Sequence, residues 1–228
     1  MLEKPLPIIG VELGRRQENT ALSVTEKTLV PTGEYTSEIV YSYGDSGADE
    51  VAYEKVATEY HVRHLQRLKP PVNYEKVAQR VANLTQSVGG GLIVVDITRT
   101  GRPVYDVIRR AVAEMVEDED TYVTFGPVSV SGIAGGVSKS PDAGHLVPRR
   151  DLVSSALLAF EANQLKIAGK LGLARTLTKE FVDFKPQPDP KDDLEGWRLA
   201  SNDDLVLAVS MSVWASERFL RRVESVTA

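Results

Sequence analysis

Apolar residues recur along this chain with two spacings, one typical of strands and one typical of helices. Near the N-terminus, short apolar or alternating stretches at 7–13 and 20–25 predict two strands joined as a hairpin. The stretch 57–68 is compatible with a helix or a strand, and we expect a third antiparallel strand there. The chain therefore begins with antiparallel strands.

From Asn73 onward the pattern predicts alternating helices and strands. Asn73 is a suitable N-cap for a helix that runs to about Ser87. A buried strand over 92–95 ends on Asp96, Pro103 opens a second helix, and 121–125 is a further strand. A β-α-β-α-β order implies parallel strands in an α/β fold.

The C-terminal half is richer in helices. The Gly- and Ser-rich stretch 127–145 predicts a long loop or a projecting hairpin, and helices are expected at 149–163, 171–184 and 202–221. The last helix is apolar nearly all round in its first half, so we expect it to pack against the sheet. The proline-containing stretch 185–191 is expected to cross the surface. We expect one domain over 1–228, with an insertion at 127–145.

Composition narrows the function classes. The chain has 228 residues and no cysteine, which excludes disulfides and thiolate zinc sites and fits a cytoplasmic setting. No apolar run approaches the roughly 20 residues that span a bilayer, so no membrane association is expected. The net charge of −5 argues against a surface wholly built for nucleic acid. A local basic groove stays possible, because five acids concentrate at 114–120.

Acidic residues stand at three separated places where elements begin or end. Glu12 lies in an apolar strand, Asp96 ends the central strand, and Asp203 and Asp204 open the last helix. Helix capping would explain the aspartate pair. It leaves Glu12 unexplained, since an unpaired buried carboxylate costs several kcal/mol. A hard divalent cation such as Mg²⁺ or Mn²⁺ would remove that cost, so a two-metal phosphoryl-transfer site is one of two open interpretations.

Four stretches in order resemble one protein family. VDITRTGRPV is similar to the D-x-T-x-x-G-x-P-V signature in the nuclease domain of phage large terminase subunits. IIGVELGRRQENTALSV, VPRRDLVSSALLAFEANQLKIA and NDDLVLAVSMSVWA resemble further motifs of that domain, from about Ile8 to Trp214. The resemblance implies a ribonuclease H-like mixed sheet, with antiparallel N-terminal strands and then parallel strands, flanked by helices.

What the resemblance implies is a Mg²⁺- or Mn²⁺-dependent endonuclease that cuts concatemeric double-stranded DNA during packaging into a viral capsid. By motif, the metals would be held by Glu12, Asp96 and one or both of Asp203 and Asp204, which would be the catalytic acids. The sequence contains no G-x-x-x-x-G-K-[ST] phosphate loop. An ATPase motor domain or subunit is therefore an expected partner, with portal and small terminase proteins, in the host cytoplasm.

Three positions depart from the family pattern. Glu12 stands where Asp is usual, Asn202 stands where His is usual, and Glu18 occupies a position where a second Asp is common. Because positions 12 and 18 keep acidic chemistry, we expect metal binding to survive. Asn202 cannot act as a general base near neutral pH, so slower cleavage or an altered metal preference is expected.

Basic residues that flank these motifs are candidates for phosphate contacts. Each alone is compatible with ordinary surface charge, whereas as a set they favour a DNA groove. The set is Arg15, Arg16, Arg99, Arg102, Lys139, Arg149 and Arg150. His61 and His64 lie far from the acid motifs in sequence, and we interpret them as structural.

Two other functions remain open at this point. GVELGRRQENTALSV also resembles the first phosphate motif of actin-like sugar kinases, although the chain is short for two such lobes. Alternatively, the chain is a catalytically impaired module for DNA binding or packaging assembly, in which Glu12 marks a decayed site.

Overall fold

The computed structural model describes residues 5–14, 17–41, 48–98, 102–115, 123–131, 138–140, 144–184, 203–220 and 225–227. Strands and helices alternate along most of this length. In chain order the elements are β1 (Pro7–Glu12), β2 (Thr20–Tyr41), β3 (Ala48–Leu68), α1 (Tyr74–Val88), β4 (Gly91–Asp96), α2 (Arg102–Met115), β5 (Val123–Ser131), β6 (Ser138–Ser140), β7 (Gly144–Pro148), α3 (Arg149–Glu161), β8 (Leu165–Ile167), α4 (Ala174–Asp183), α5 (Asp204–Phe219) and β9 (Ser225–Thr227).

All of these strands join a single mixed sheet. Its order is β6-β7-β5-β4-β1-β2-β3-β8, with β9 paired to β3. β1, β4, β5 and β7 are parallel, β1-β2-β3 is an antiparallel meander, and β8 runs parallel to β3. The predicted α/β class and the parallel pairing after the N-terminal hairpin are therefore confirmed.

The sheet separates two layers of helices. Alternate residues of the central strands enter opposite cores: Ile8 and Val94 face α3, α4 and α5, whereas Ile9 and Val95 face α1 and α2. Helix α5 is buried along most of its length, from Leu205 to Ser216, as its apolar sequence predicts. None of the described helices is long and apolar enough to cross a membrane.

Helix α5 lies directly on β1. A Cβ atom added to Gly10 would stand 2.0 Å from the carbonyl oxygen of Ala208, so only glycine permits this approach. One helical turn later, the Ser212 hydroxyl lies 3.4 Å from the carbonyl oxygen of Ile8, which accepts its hydrogen bond, and 3.2 Å from the Ser23 hydroxyl. The helix therefore runs along β1 in the opposite direction to the strand.

Strands β2 and β3 are much longer than the apolar pattern indicates. Their outer parts, 31–41 and 48–57, form a two-stranded extension that we call the ribbon. Its β2 side chains are exposed up to residue 40, and those of 48–57 are exposed or half-buried. Because burial drives the apolar alternation on which strand prediction relies, a strand exposed on both faces carries little of that signal.

Other differences lie in the C-terminal half. The described residues of 127–145 belong to the sheet, as the end of β5, β6 and the start of β7, where the composition predicts a loop or projecting hairpin. These small residues form strands because their backbones pair with one another, β5 with β7 and β6 with β7. The short β8 and β9 are not predicted, and the stretch 185–191 lies outside the described residues.

Candidate active site

Four residues form a row across the strands at the carboxyl end of β1 and β4. Val11 pairs with Val95, so Glu12 and Asp96 follow as neighbours on these parallel strands, with backbones about 4.8 Å apart. On its other side Glu12 pairs with Ala21, and Ala21 pairs with Arg67. Residues in register share a face, so Arg67, Ala21, Glu12 and Asp96 lie on one face, the row.

The row lies on the same side of the sheet as α5. Ala21 belongs to the core beneath α3, α4 and α5, and Gly10, two residues before Glu12, contacts Ala208. Since α5 runs antiparallel to β1, the turn that precedes Ala208 lies at the level of Glu12. That turn begins with Asp204. The acids of β1, β4 and α5 therefore converge at one edge of the sheet.

These acids are buried. The exposed fraction is 9% for Glu12, 7% for Asp96 and 8% for Asp203. The Oδ1 atom of Asp96 accepts hydrogen bonds from the backbone amide of Thr98, at 2.8 Å, and from its hydroxyl, at 2.5 Å. This turn fixes one carboxylate oxygen where β4 ends.

Asp204 lies in an ion-pair network with two residues from other elements. The Nε of Arg67 donates to Oδ2 of Asp204 at 2.7 Å, and a terminal nitrogen of the same guanidinium donates to Oε1 of Glu180 at 2.5 Å. Glu180 is 9% exposed and comes from α4. Burial raises the pKa of Glu180 to about 7, against the pull of the Arg67 hydrogen bond, which lowers it.

The donor set consists of carboxylate oxygens, the ligands that Mg²⁺ and Mn²⁺ take in proteins. Its chemistry therefore fits a hard divalent cation. In the part of the chain that the structure describes, however, no three acidic or histidine side chains are gathered closely enough to hold an ion as they stand. Two of these acids each have one carboxylate oxygen held by a neighbour, since Thr98 donates to Oδ1 of Asp96 and Arg67 donates to Oδ2 of Asp204.

The predicted DNA contacts are only partly described. Arg102 opens α2 and lies 3.9 Å from Asp106, while Arg149 and Arg150 open α3 directly after β7. Both helices begin at the carboxyl end of parallel strands, which is the edge that holds the acids. Glu18 is exposed in the β1–β2 connection. The side chains of five other residues from the sequence prediction lie outside the part of the chain that the structure describes: Arg15, Arg16, Arg99, Lys139 and Asn202.

Sequence reasoning did not identify Arg67 or Glu180 as parts of this site. Arg67 is one of several basic residues at 61–67, and Glu180 lies in an amphipathic helix with no motif around it. Arg67 enters the row because of the register in which β1 pairs with β2 and β2 pairs with β3. To identify it from the sequence, one would have needed the correct limits of β3.

No protein-family model and no curated protein matches the sequence. Solved structures do match. The large terminase nuclease from thermophilic phage G20c is 15% identical with a TM-score of 0.51, and the match covers 92% of this chain and 81% of that one. The Mn-soaked terminase nuclease domain of human cytomegalovirus is 12% identical with a TM-score of 0.53, covering 98% and 89%.

The inhibitor-bound form of the cytomegalovirus domain, also Mn-soaked, is 11% identical with a TM-score of 0.54, over the same 98% and 89%. Identities at this level establish the fold. The chain therefore has the ribonuclease H-like fold of the terminase nuclease domains, as the motif resemblance implies.

Proposed function

We propose that this chain is a metal-dependent endonuclease that hydrolyses phosphodiester bonds of double-stranded DNA, as the nuclease of a viral packaging terminase. The observation that carries the proposal is the row: Glu12 and Asp96 are adjacent, buried, and face the helix that Asp203 and Asp204 begin. The same fold in terminase nucleases, including a Mn-soaked one, supports the choice of substrate and metal.

In this proposal Glu12, Asp96 and one or both of Asp203 and Asp204 hold Mg²⁺ or Mn²⁺. Such ions, when bound, lower the pKa of an attacking water and stabilise the leaving oxygen. The chain itself supplies the orientation. Thr98 fixes Asp96 through two hydrogen bonds, and Gly10 lets α5 come close enough to bring its first turn to the acids.

The DNA would lie along the edge where α2 and α3 begin. Arg102 is 43% exposed and Arg150 is 59% exposed, so both are accessible to phosphates there. We propose Arg149 as a further contact on the same edge, and Arg15, Arg16, Arg99 and Lys139 from the sequence pattern. In a packaging role the partners would be an ATPase motor domain or subunit, with portal and small terminase proteins, in the host cytoplasm.

A plasmid-nicking assay tests the proposal. Purified wild-type protein is incubated with supercoiled plasmid and Mn²⁺ or Mg²⁺, beside the Asp96→Asn variant. Asparagine keeps the size of the side chain and an oxygen for Thr98 but removes the carboxylate charge. We expect wild-type nicking that is reduced about 100-fold or more in the variant, as for loss of an electrostatically essential group.

A matched control replaces an exposed aspartate far from the row. Asp183 is 58% exposed at the end of α4, where Lys179 is its partner, so Asp183→Asn should cut as the wild type does. Absence of cutting by wild type and Asp96→Asn alike, with DNA still bound, would replace this proposal with the impaired binding and assembly module.

A further inference from the structure

The ribbon is a part of the fold to which the proposed function gives no role. Its β2 strand spans the eleven residues 31–41, about 36 Å, and its β3 strand spans 48–57. Tyr35 and Ile39 in β2 are 61% and 62% exposed, so most of each side chain is in contact with water. Burial of such side chains against a partner is favourable, and exposed ones grouped on one surface indicate a site of interaction.

Strand register places an acid directly across from each of these two side chains. Tyr35 pairs with Glu54 and Ile39 pairs with Glu50, and residues that pair across antiparallel strands share a face. We call this side of the ribbon the Tyr35 face. Because the two pairs are four residues apart along each strand, they lie about 13 Å apart. The Tyr35 face therefore repeats one unit, an apolar side chain beside a carboxylate.

The negative charge of the ribbon is not balanced within it. Its five acids exceed its one basic residue, Lys55, whose Nζ lies 3.1 Å from Oε2 of Glu34. In the part of the chain that the structure describes, no other cation forms an ion pair with a ribbon acid. Such a surface repels DNA and also repels the ribbon of a second copy of this chain. Charge complementarity therefore favours a basic polypeptide as its partner.

Arginine and lysine side chains match the repeated unit of the Tyr35 face. Their aliphatic stems pack on apolar surface while the charged end reaches a carboxylate. A guanidinium also stacks on an aromatic ring, such as that of Tyr35. In an extended segment, residues four apart point to the same side and are also about 13 Å apart. Basic side chains at that spacing can contact both pairs at once.

We propose that the Tyr35 face is a docking surface for an extended, basic segment of a partner protein, whose arginine or lysine side chains contact the Tyr35–Glu54 and Ile39–Glu50 pairs. The proposal goes beyond the proposed function and does not rest on it, because the ribbon and the row lie at opposite ends of β2. Binding to this face is therefore measured separately from DNA cleavage.

Fluorescence anisotropy tests the proposal with the full chain and a labelled peptide of alternating arginine and serine, which places its arginines on one side when extended. We expect the wild type to bind this probe and not a peptide of alternating glutamate and serine. Glu50→Gln with Glu54→Gln should weaken binding about tenfold or more, through loss of both carboxylates. Glutamine keeps the side-chain size and, at Glu54, the oxygen that accepts a hydrogen bond from the Gly33 amide.

The opposite side of the ribbon supplies a matched control. There Glu38 pairs with Val51 and Asp49 pairs with Val40, which is less exposed than Ile39, at 41%. Glu38→Gln with Asp49→Asn changes the net charge by the same amount as the first pair of substitutions and should weaken binding by less than about threefold. Equal losses from the two pairs would show attraction by net charge alone and would overturn the proposal.

A third variant tests the apolar part of the surface. Tyr35→Thr with Ile39→Thr keeps residues suited to an exposed strand, so the melting temperature should stay near the wild-type value. Binding of the arginine probe should fall about fivefold or more, and unchanged binding would overturn the proposal. A wild-type dimer in sedimentation that this variant abolishes would instead assign the face to a second copy.

Plasmid nicking separates this proposal from the proposed function. The ribbon variants should nick plasmid as the wild type does, because their substitutions lie far from the row. A wild type that nicks DNA but does not bind the arginine probe overturns the docking surface and leaves the nuclease. A wild type that binds the probe at the Tyr35 face but does not nick DNA has the opposite meaning.

Discussion

Acidic side chains at the two ends of strands β2 and β3 lie in opposite surroundings. Beside the row, Glu180 is buried, Asp204 is largely shielded from solvent, and both share the guanidinium of Arg67. On the ribbon, acidic side chains are exposed or half-buried along both strands, with Lys55 as the one basic residue of 31–41 and 48–57. These acids are Glu34, Glu38, Asp49, Glu50 and Glu54.

The contrast shows what burial demands of a carboxylate. Water solvates the ribbon acids, so they need no fixed partner and tolerate irregular pairing, such as the register shift between Pro31 and Tyr35. At the row, each acid needs a hydrogen-bonding or cationic partner, and the backbone must be placed to match. Substitutions should therefore be far more damaging near the row than on the ribbon.

The largest difference is expected between two glycines. Gly10→Ala would place a Cβ 2.0 Å from the Ala208 carbonyl oxygen, and backbone must move. Gly33, on the ribbon, has φ of 75° but nothing within 4 Å of an added Cβ. We expect Gly10→Ala to lower the free energy of unfolding by about 3 kcal/mol or more, and Gly33→Ala by about 1–2 kcal/mol, in urea denaturation. Equal losses would show that the close approach of α5 is not essential.

A smaller effect concerns pH. Because the pKa of Glu180 is raised from 4.5 to about 7, its contribution to stability is fully present below pH 4.5 and is lost as the pH rises through 7. Glu180→Gln removes that contribution, with Arg67 and Asp204 still facing the site. Between pH 5 and 8 the melting temperature of the wild type should fall by roughly 3 °C or more beyond that of the variant.

The ribbon supplies the control for this comparison. Glu38 is exposed, so Glu38→Gln should leave the wild-type pH dependence unchanged. If Glu38→Gln and Glu180→Gln flatten the profile equally, the pH response does not come from the buried network.

The smallest expected effect compares two isoleucines. Ile93 in β4 is fully buried, and Ile39 on the ribbon is 62% exposed. Ile93→Val should lower the free energy of unfolding by about 1 kcal/mol, through the lost methylene and the small cavity. Ile39→Val should change it by less than about 0.5 kcal/mol, as is usual at exposed positions. Chemical denaturation of both variants measures the two losses in free energy of unfolding. Equal losses would indicate that the ribbon is covered in solution.

How far the sequence predicts the structure differs between the same two regions. Helix α1 begins after Asn73, whose side chain accepts a hydrogen bond from the Lys76 amide, and β4 ends on Asp96, both as the pattern predicts. These elements are amphipathic or fully buried, so the sequence shows their burial as a periodic or continuous apolar pattern. The outer halves of β2 and β3 lack such a pattern.

The candidate site shows a similar limit. Glu12 and Asp96 can be identified because each interrupts or ends an apolar strand, and the fold then makes them neighbours. Arg67 enters the row through strand register, and Glu180 reaches it from α4 by tertiary packing. Neither relationship is encoded in local spacing. Whether the acids bind metal remains a prediction from the sequence motif.

The ribbon also changes what the net charge of the chain means. Its five acids and one lysine account for −4 of the total of −5, which leaves −1 for all other residues. From Ala21, beside Glu12, to the start of the ribbon at Pro31 is ten residues along β2, or about 33 Å. The Debye length at physiological ionic strength is about 8 Å, so salt screens the ribbon charge from that edge. The ribbon therefore adds almost no repulsion for a polyanion at the row, which would meet only the local charges of that edge: the acids of the site and the basic residues Arg67, Arg102, Arg149 and Arg150.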